Sequence, residues 1–94
     1  MPAEVYLSGT RAEVLAIQVT PDNLEEAAAF VNGEIIDIKA SRFLMPHGYQ
    51  AIRFQGITGV AWAQNWDWLV RYIHAPDMIY AYRNGVFQSM YTKK

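Results

Sequence analysis

Six aromatic residues and three arginines are the side chains in this sequence best suited to bind a ligand. They lie between residues 53 and 83, mostly on segments with the alternating pattern of β-strands. Trp, Tyr and Arg dominate binding hot spots, and aromatic rings can also stack a nucleobase while an arginine holds its phosphate. The alternative is that part of the set fills the core, with about two or three of the six rings exposed. The candidate binding residues are Trp62, Trp66, Trp68, Tyr72, Tyr80, Tyr82, Arg53, Arg71 and Arg83.

Groups for acid–base, nucleophilic or metal chemistry form no recognisable constellation. Asp67, between two tryptophans, could act as a general acid, but it lacks a partner base, so a turn cap or an ion pair with an arginine is the favoured interpretation. His47 and His74 are far apart and lack the spacing of metal ligands, and the chain has no cysteine. We therefore predict a non-enzymatic protein without metal or cofactor, and keep an enzyme as an alternative.

The composition limits the class of partner. The net charge is −1, so the chain lacks the positive excess that drives binding to nucleic acid. Only 18% of residues are charged and 52% are hydrophobic, which favours an apolar surface for a protein partner. No stretch approaches the ~20 apolar residues of a membrane span, and the first residues lack the pattern of a signal peptide. We expect a cytoplasmic protein.

Strands and one helix must position the candidate residues. Residues 1–94 are predicted to form one domain, with an N-terminal arm at 1–11 and a core at 13–92. The pattern predicts an α+β fold, in which one helix packs on a strongly bent antiparallel sheet or a small, partly open barrel. Predicted strands cover 13–20, 34–40, 49–55, 60–63, 66–74, 78–83 and 86–92, and the helix covers 22–32.

Local signals set the predicted boundaries. A capping box of Asp22 and Glu25 should begin the helix, and Asn32-Gly33 should end it. Hairpin connections are expected at 56–59 and at Asn84-Gly85, with a loop at 41–48 and a turn at 75–77. Apolar alternation places one face inward on each of two strands. The predicted inward residues are Leu15, Ile17, Val19, Ile36 and Ile38.

Two stretches carry a resemblance, AIQVTPDNLEE at 16–26 and WDWLV at 66–70, followed by FQSMY at 87–91. They are similar to small phage and prophage proteins with the patterns Ala-Ile-Gln-Trp-Thr-Gly-Asp-Asn, Pro-Gly-Asp-Trp-Ile and Phe-x-x-x-Tyr. Trp66 stands where that pattern has a glycine, whose freedom to adopt positive φ a tryptophan lacks. The resemblance implies a phage origin and a compact α+β fold, and no reaction. Matching residues are Ala16, Gln18, Thr20, Asp22, Asn23, Asp67, Trp68, Phe87 and Tyr91; departures are Val19, Pro21, Asn65 and Trp66.

Three functions follow from these features. The first is a phage accessory protein that binds a host protein through an aromatic sheet face, in the cytoplasm of the bacterial host. The second is a virion structural or assembly component that self-associates by pairing residues 5–7 and the last strand between subunits. The third is a small-ligand protein that binds a nucleotide in an aromatic pocket.

Overall fold

The computed structural model describes residues 3–38 and 49–94, and this part of the chain forms eight strands in two antiparallel sheets and two short helices. The α+β prediction is confirmed, but neither sheet closes into a barrel within the described residues, and the strands divide between two sheets. The elements are β1 Glu4–Ser8, β2 Glu13–Gln18, α1 Leu24–Phe30, β3 Glu34–Ile38, β4 Tyr49–Gly56, β5 Gly59–Ala63, β6 Trp68–Tyr72, β7 Ala75–Tyr82, α2 Asn84–Met90 and β8 Tyr91–Lys93.

The larger sheet has the strand order β7-β6-β2-β1-β8, and the smaller has the order β3-β4-β5. The predicted N-terminal arm is strand β1, which lies inside the larger sheet. Its Tyr6 stands opposite Val14 of β2 on one side and Lys93 of β8 on the other. The two segments expected to pair between subunits therefore pair with each other within one chain.

The larger sheet is covered on both faces. On one face Ile17 and Leu69 pack against helix α1 and the smaller sheet in a single buried cluster. On the other face Val14 and Ala16 are buried beneath aromatic rings and helix α2. Ile17 and Val19 point inward as predicted, and the opposite face of β2 is buried as well, because α2 and the aromatic rings cover it. Leu15 is only half-buried.

Helix α1 packs through its small residues as predicted, since Ala27, Ala28 and Val31 are buried. Its C-terminal end is also as predicted. Asn32 adopts a left-handed φ of 52°, and the Gly33 N–H donates to the Ala28 carbonyl at 2.8 Å. A Cβ atom on Gly33 would lie 2.6 Å from the Arg53 carbonyl oxygen, so strand β4 requires a glycine here.

The N-terminal end of α1 differs from the prediction. The helix begins at Leu24 with Asn23 as its N-cap residue, and no side chain caps it, so the Asp22–Glu25 capping box is not formed. The Asn23 side chain instead accepts a hydrogen bond from the Thr20 N–H and donates one to the Gln18 carbonyl, both at 2.8 Å. This pair of bonds fixes the connection from β2 to α1.

Helix α2 replaces the predicted hairpin at Asn84-Gly85 and most of the strand at 86–92. The Phe87 side chain is fully buried against the sheet, and the Phe87 N–H donates to the Arg83 carbonyl at 2.9 Å. A hairpin would alternate side chains across a strand and would move Phe87 out of this position. Only residues 91–93 are extended, as strand β8.

The remaining predictions mostly shift by a few residues. The hairpin at 56–59 is confirmed, with Gly56 opposite Gly59. The chain turns at 73–74, and residues 75–77 belong to β7, because β7 pairs with β6 as far as Tyr72, which lies opposite Ala75.

The predicted inward face of β3 is wrong. Ile35 packs against the core opposite Ile52, whereas Ile36 and Ile38 lie on the other face of the strand. The predicted loop at 41–48, with His47, lies outside the described residues.

Candidate functional site

One face of the larger sheet carries a continuous series of aromatic rings. The pleat brings Tyr6, Trp68, Tyr72, Tyr80 and Tyr82 to the same face, where α2 and β8 add Phe87 and Tyr91. Neighbouring ring centroids along this series are 4.0–5.9 Å apart, and the closest pair is Trp68 stacked on Phe87. We call these seven residues the aromatic face.

Four of the predicted binding residues belong to the aromatic face. Trp68 is buried beneath Phe87, while Tyr72, Tyr80 and Tyr82 are half-buried along β6 and β7. Trp62 and Trp66 are the two of the six aromatic residues that are exposed, at 49% and 58%, and both lie elsewhere. The structure therefore divides the single aromatic surface expected from the sequence.

The arginines do not border the aromatic face as a group. Arg71 lies on the opposite face of the sheet, where its guanidinium donates to the Phe30 carbonyl at 2.8 Å and lies over the Phe30 ring. Arg53 lies 5.9 Å from the Trp62 ring on the smaller sheet and pairs with Glu34. Arg83 is exposed at the start of α2. Of these three arginines, only Arg83 has no ion pair, hydrogen bond or ring contact of its side chain with residues 3–38 and 49–94.

Trp66 lies in the turn before β6, with a left-handed φ of 75°. Its N–H donates to the Val19 carbonyl at 2.6 Å, and its own carbonyl accepts the Gln18 Nε2–H at 3.1 Å. The backbone thus keeps the conformation that glycine favours, although a tryptophan occupies the position. The indole is held outward at this bend, with more than half of its surface in solvent.

Asp67 closes the same turn. Its carboxylate accepts the Gln64 N–H at 2.9 Å, and the Asp67 carbonyl accepts the Val19 N–H at 2.9 Å. The side chain is buried, with 9% exposed. This is the turn-capping arrangement that the sequence favoured over a general acid.

Three amide side chains that the candidate set omitted connect these features. Asn84 Oδ1 accepts the Trp68 indole N–H at 2.8 Å and the Gln18 Nε2–H at 3.4 Å, which ties the start of α2 to β2 and β6. Gln18 in turn reaches Trp66, and Asn23 holds the Gln18 backbone. Gln18 and Asn23 stand in the phage-like motif, which was the only sequence signal for them. Asn84 carries no such signal, because the pair Asn84-Gly85 is typical of a hairpin turn.

Tyr91 is the centre of a small hydroxyl network. Its hydroxyl lies 3.5 Å from those of Tyr72 and Tyr82. Burial, followed by the hydrogen bonds to these two tyrosines, raises the pKa of the Tyr91 hydroxyl above its ordinary value. The folded state therefore keeps this group neutral.

The raised pKa of Tyr91 predicts a loss of stability in alkali. Its contribution is complete below pH ~10, where the unfolded tyrosine is also neutral, and falls as the pH rises further, because the unfolded state releases the proton more readily than the folded state. Urea unfolding midpoints measured from neutral to alkaline pH should decline above pH ~10. Tyr91→Phe should flatten that decline, and Tyr80→Phe, whose hydroxyl lies outside the network, should not. Equal slopes in all three proteins would contradict this assignment.

No group of three or more His, Asp or Glu side chains that could hold a metal ion is found in residues 3–38 and 49–94. Neither helix of this part of the chain is long and apolar enough to cross a membrane.

Comparison of the chain with protein-family models, curated proteins and solved structures finds no match.

Proposed function

We propose that the chain is a non-enzymatic protein-binding module that contacts its partner through Trp66 and the adjoining start of helix α2. The observation that carries the proposal is the combination of exposure and left-handed backbone at Trp66. The resemblance of residues 16–26 and 66–70 to small phage proteins supports a phage accessory protein, acting on a host protein in the bacterial cytoplasm.

The energetics support a role in binding. A bulky residue in the left-handed region costs about 1–2 kcal/mol relative to glycine. More than half of the Trp66 surface, 58%, stays in water, so burial of that remainder against a partner would add stabilisation that offsets this cost. Strain of this kind persists where the surrounding structure fixes the backbone, and it is concentrated at functional sites. Tryptophan is also among the residues most enriched in binding hot spots.

The surroundings of Trp66 suit a preorganised contact. Hydrogen bonds from both sides fix its backbone, and Gln18 connects it with Asn84 at the first turn of α2. On that helix Val86 is 47% exposed and Met90 is 43% exposed. A partner that covers Trp66 would therefore meet a rigid turn and further apolar surface, which lowers the ordering cost of binding.

Replacing Trp66 separates folding from binding. Trp66→Gly should raise the free energy of unfolding by about 1 kcal/mol, because glycine adopts the left-handed conformation without strain. The same substitution should abolish capture of the partner by the tagged protein from bacterial lysate, measured by quantitative mass spectrometry. The expected pattern is a more stable protein that has lost its function.

Trp62→Ala is the matched control, because it removes a similarly exposed indole from the smaller sheet. It should retain the partner that the unmodified protein captures at near-stoichiometric yield. Loss of that partner from Trp62→Ala, with retention by Trp66→Gly, would overturn the proposed surface. Failure of both the unmodified protein and Trp62→Ala to capture any protein would overturn the proposed function.

A further inference from the structure

We propose that the pocket between β1, β2, β6 and the start of α1 binds a primary ammonium group on a short alkyl chain. This inference rests on the walls of the pocket and is independent of the function proposed for Trp66. The residues that carry it are Glu4, Tyr6, Gln18, Thr20, Asn23 and Trp68.

The volume of the pocket limits the ligand. The pocket encloses about 100 Å³. A water molecule takes up roughly 30 Å³ of liquid, whereas drug-sized ligands occupy pockets of roughly 300–1,000 Å³. The space therefore suits a charged group with a few methylenes and is too small for a nucleotide. This excludes the pocket as the nucleotide site considered from the sequence.

The charge of the walls selects a cation. Among the described residues that line the pocket, Glu4 is the only charged one. Its carboxylate pairs with Lys93 of the neighbouring strand β8, and the Lys93 side chain is 61% exposed. An ammonium group of this chain thus already pairs with the pocket carboxylate. An incoming ammonium would take the same partner, whereas a phosphate or carboxylate would be repelled.

The neutral polar side chains that line the pocket also suit an ammonium ligand. Gln18 Nε2 donates to the Trp66 carbonyl and to Asn84 Oδ1, which fixes the orientation of the amide and leaves its Oε1 without a donor among the described residues. The Thr20 hydroxyl likewise has no hydrogen-bond partner in this part of the chain, although the Thr20 N–H is bound by Asn23. With Glu4 these groups supply three acceptors, and an ammonium carries three donors and no acceptor.

The aromatic walls suit the same ligand. Tyr6 lies edge-on to Trp68, with ring centroids 5.4 Å apart, and both line the pocket. Phe87 stacks on one face of Trp68 and holds the indole in place. The face of an aromatic ring attracts a cation electrostatically, and its apolar surface can cover an alkyl chain. The pocket is thus built from a carboxylate, two neutral acceptors and two rings.

The test is a titration of the full chain with n-butylammonium at neutral pH, monitored by two-dimensional NMR. We expect saturable shifts of the Trp68 indole N–H and of backbone amides at residues 4–6 and 18–20. Equimolar butyrate and n-butanol, which match the alkyl chain but lack the cation, should produce none. Absence of binding, or equal binding of the three compounds, would overturn the proposal.

Three variants assign the binding to the pocket. Glu4→Gln should weaken it at least about tenfold, because it removes the negative charge and keeps the shape. Lys93→Met should strengthen the binding of n-butylammonium severalfold, because it frees Glu4. An unchanged affinity in Glu4→Gln would overturn the proposal. Trp66→Gly keeps the carbonyl that orients Gln18, so it should leave ammonium binding intact even where partner capture is lost. Failure of one proposal is therefore distinguishable from failure of the other.

A second titration identifies the source of the ammonium group. Nα-acetyl-lysine N-methylamide presents the same group on a blocked peptide backbone. Affinity at least about tenfold above that of n-butylammonium, abolished by Glu4→Gln, would assign the pocket to a lysine side chain of a protein partner. Equal affinities would assign it to a free alkylamine. Both results support the ammonium site.

Discussion

Phe87→Ala is expected to lower the free energy of unfolding by about 3–5 kcal/mol, the usual cost of emptying a buried phenylalanine site. Phe87 has no exposed surface and stacks on Trp68, with ring centroids 4.0 Å apart. It also contacts Tyr6 and Tyr91 at 5.0 and 4.9 Å, so one side chain attaches α2 to three strands. Small domains are stable by only about 5–15 kcal/mol, so this loss is a large fraction of the total.

Urea denaturation followed by far-UV circular dichroism measures this effect. Val86→Ala provides the control, because Val86 is the preceding residue of the same helix and is 47% exposed. Its change should stay within about 0.5 kcal/mol. Similar losses in the two variants would show that Phe87 does not attach α2 to the sheet.

Asn23→Ala is expected to cost about 2–4 kcal/mol. The Asn23 side chain is 6% exposed and bonds the Thr20 N–H and the Gln18 carbonyl, each at 2.8 Å. Alanine would leave both backbone groups without a partner in a part-buried position. Each such group costs about 1–3 kcal/mol, and water reaching the site recovers part of that cost.

A substitution at the neighbouring Asp22 tests whether the start of α1 is stabilised by the Asp22–Glu25 capping box or by the Asn23 side chain. Asp22 is exposed, and the capping box expected from the sequence is not formed. Asp22→Ala should therefore change stability by less than about 0.5 kcal/mol, measured in the same denaturation series. A larger loss for Asp22→Ala than for Asn23→Ala would restore the capping box and contradict the structure.

Helix α1 shows what local pattern can predict. Ala27, Ala28 and Val31 repeat with helical spacing, and Asn32-Gly33 supplies the left-handed end. These features involve residues close in sequence, so the sequence alone predicts them. The small-residue stripe also predicts close packing on a sheet, although it does not identify which strands form that sheet.

Helix α2 shows where local pattern fails. Asn84-Gly85 between apolar segments favours a hairpin, yet Asn84 accepts the Trp68 indole N–H and Phe87 stacks on that indole. These contacts join residues 16 and 19 positions apart, beyond any local signal. Tertiary packing here outweighs turn propensity, and the same contacts bury Trp68, which the sequence placed in the candidate surface.

The candidate site was predictable in composition but not in arrangement. The sequence shows that tryptophan and tyrosine are concentrated here, but the strand boundary at Trp68 leaves Trp66 in a turn, and the alternation of side chains along β6 places Arg71 opposite the aromatic face. The left-handed backbone of Trp66 matches the glycine of the phage-like pattern.

The pairing of β1 with β8 has a mechanical consequence. The strands are antiparallel, so the beginning of β1 lies beside the end of β8, where the Lys94 N–H donates to the Val5 carbonyl and Lys93 pairs with Glu4. A force that pulls these two ends apart acts along the hydrogen bonds between the strands. The bonds are then loaded one after another, so the seam opens like a zipper at low force, whereas strands pulled lengthwise would resist in shear.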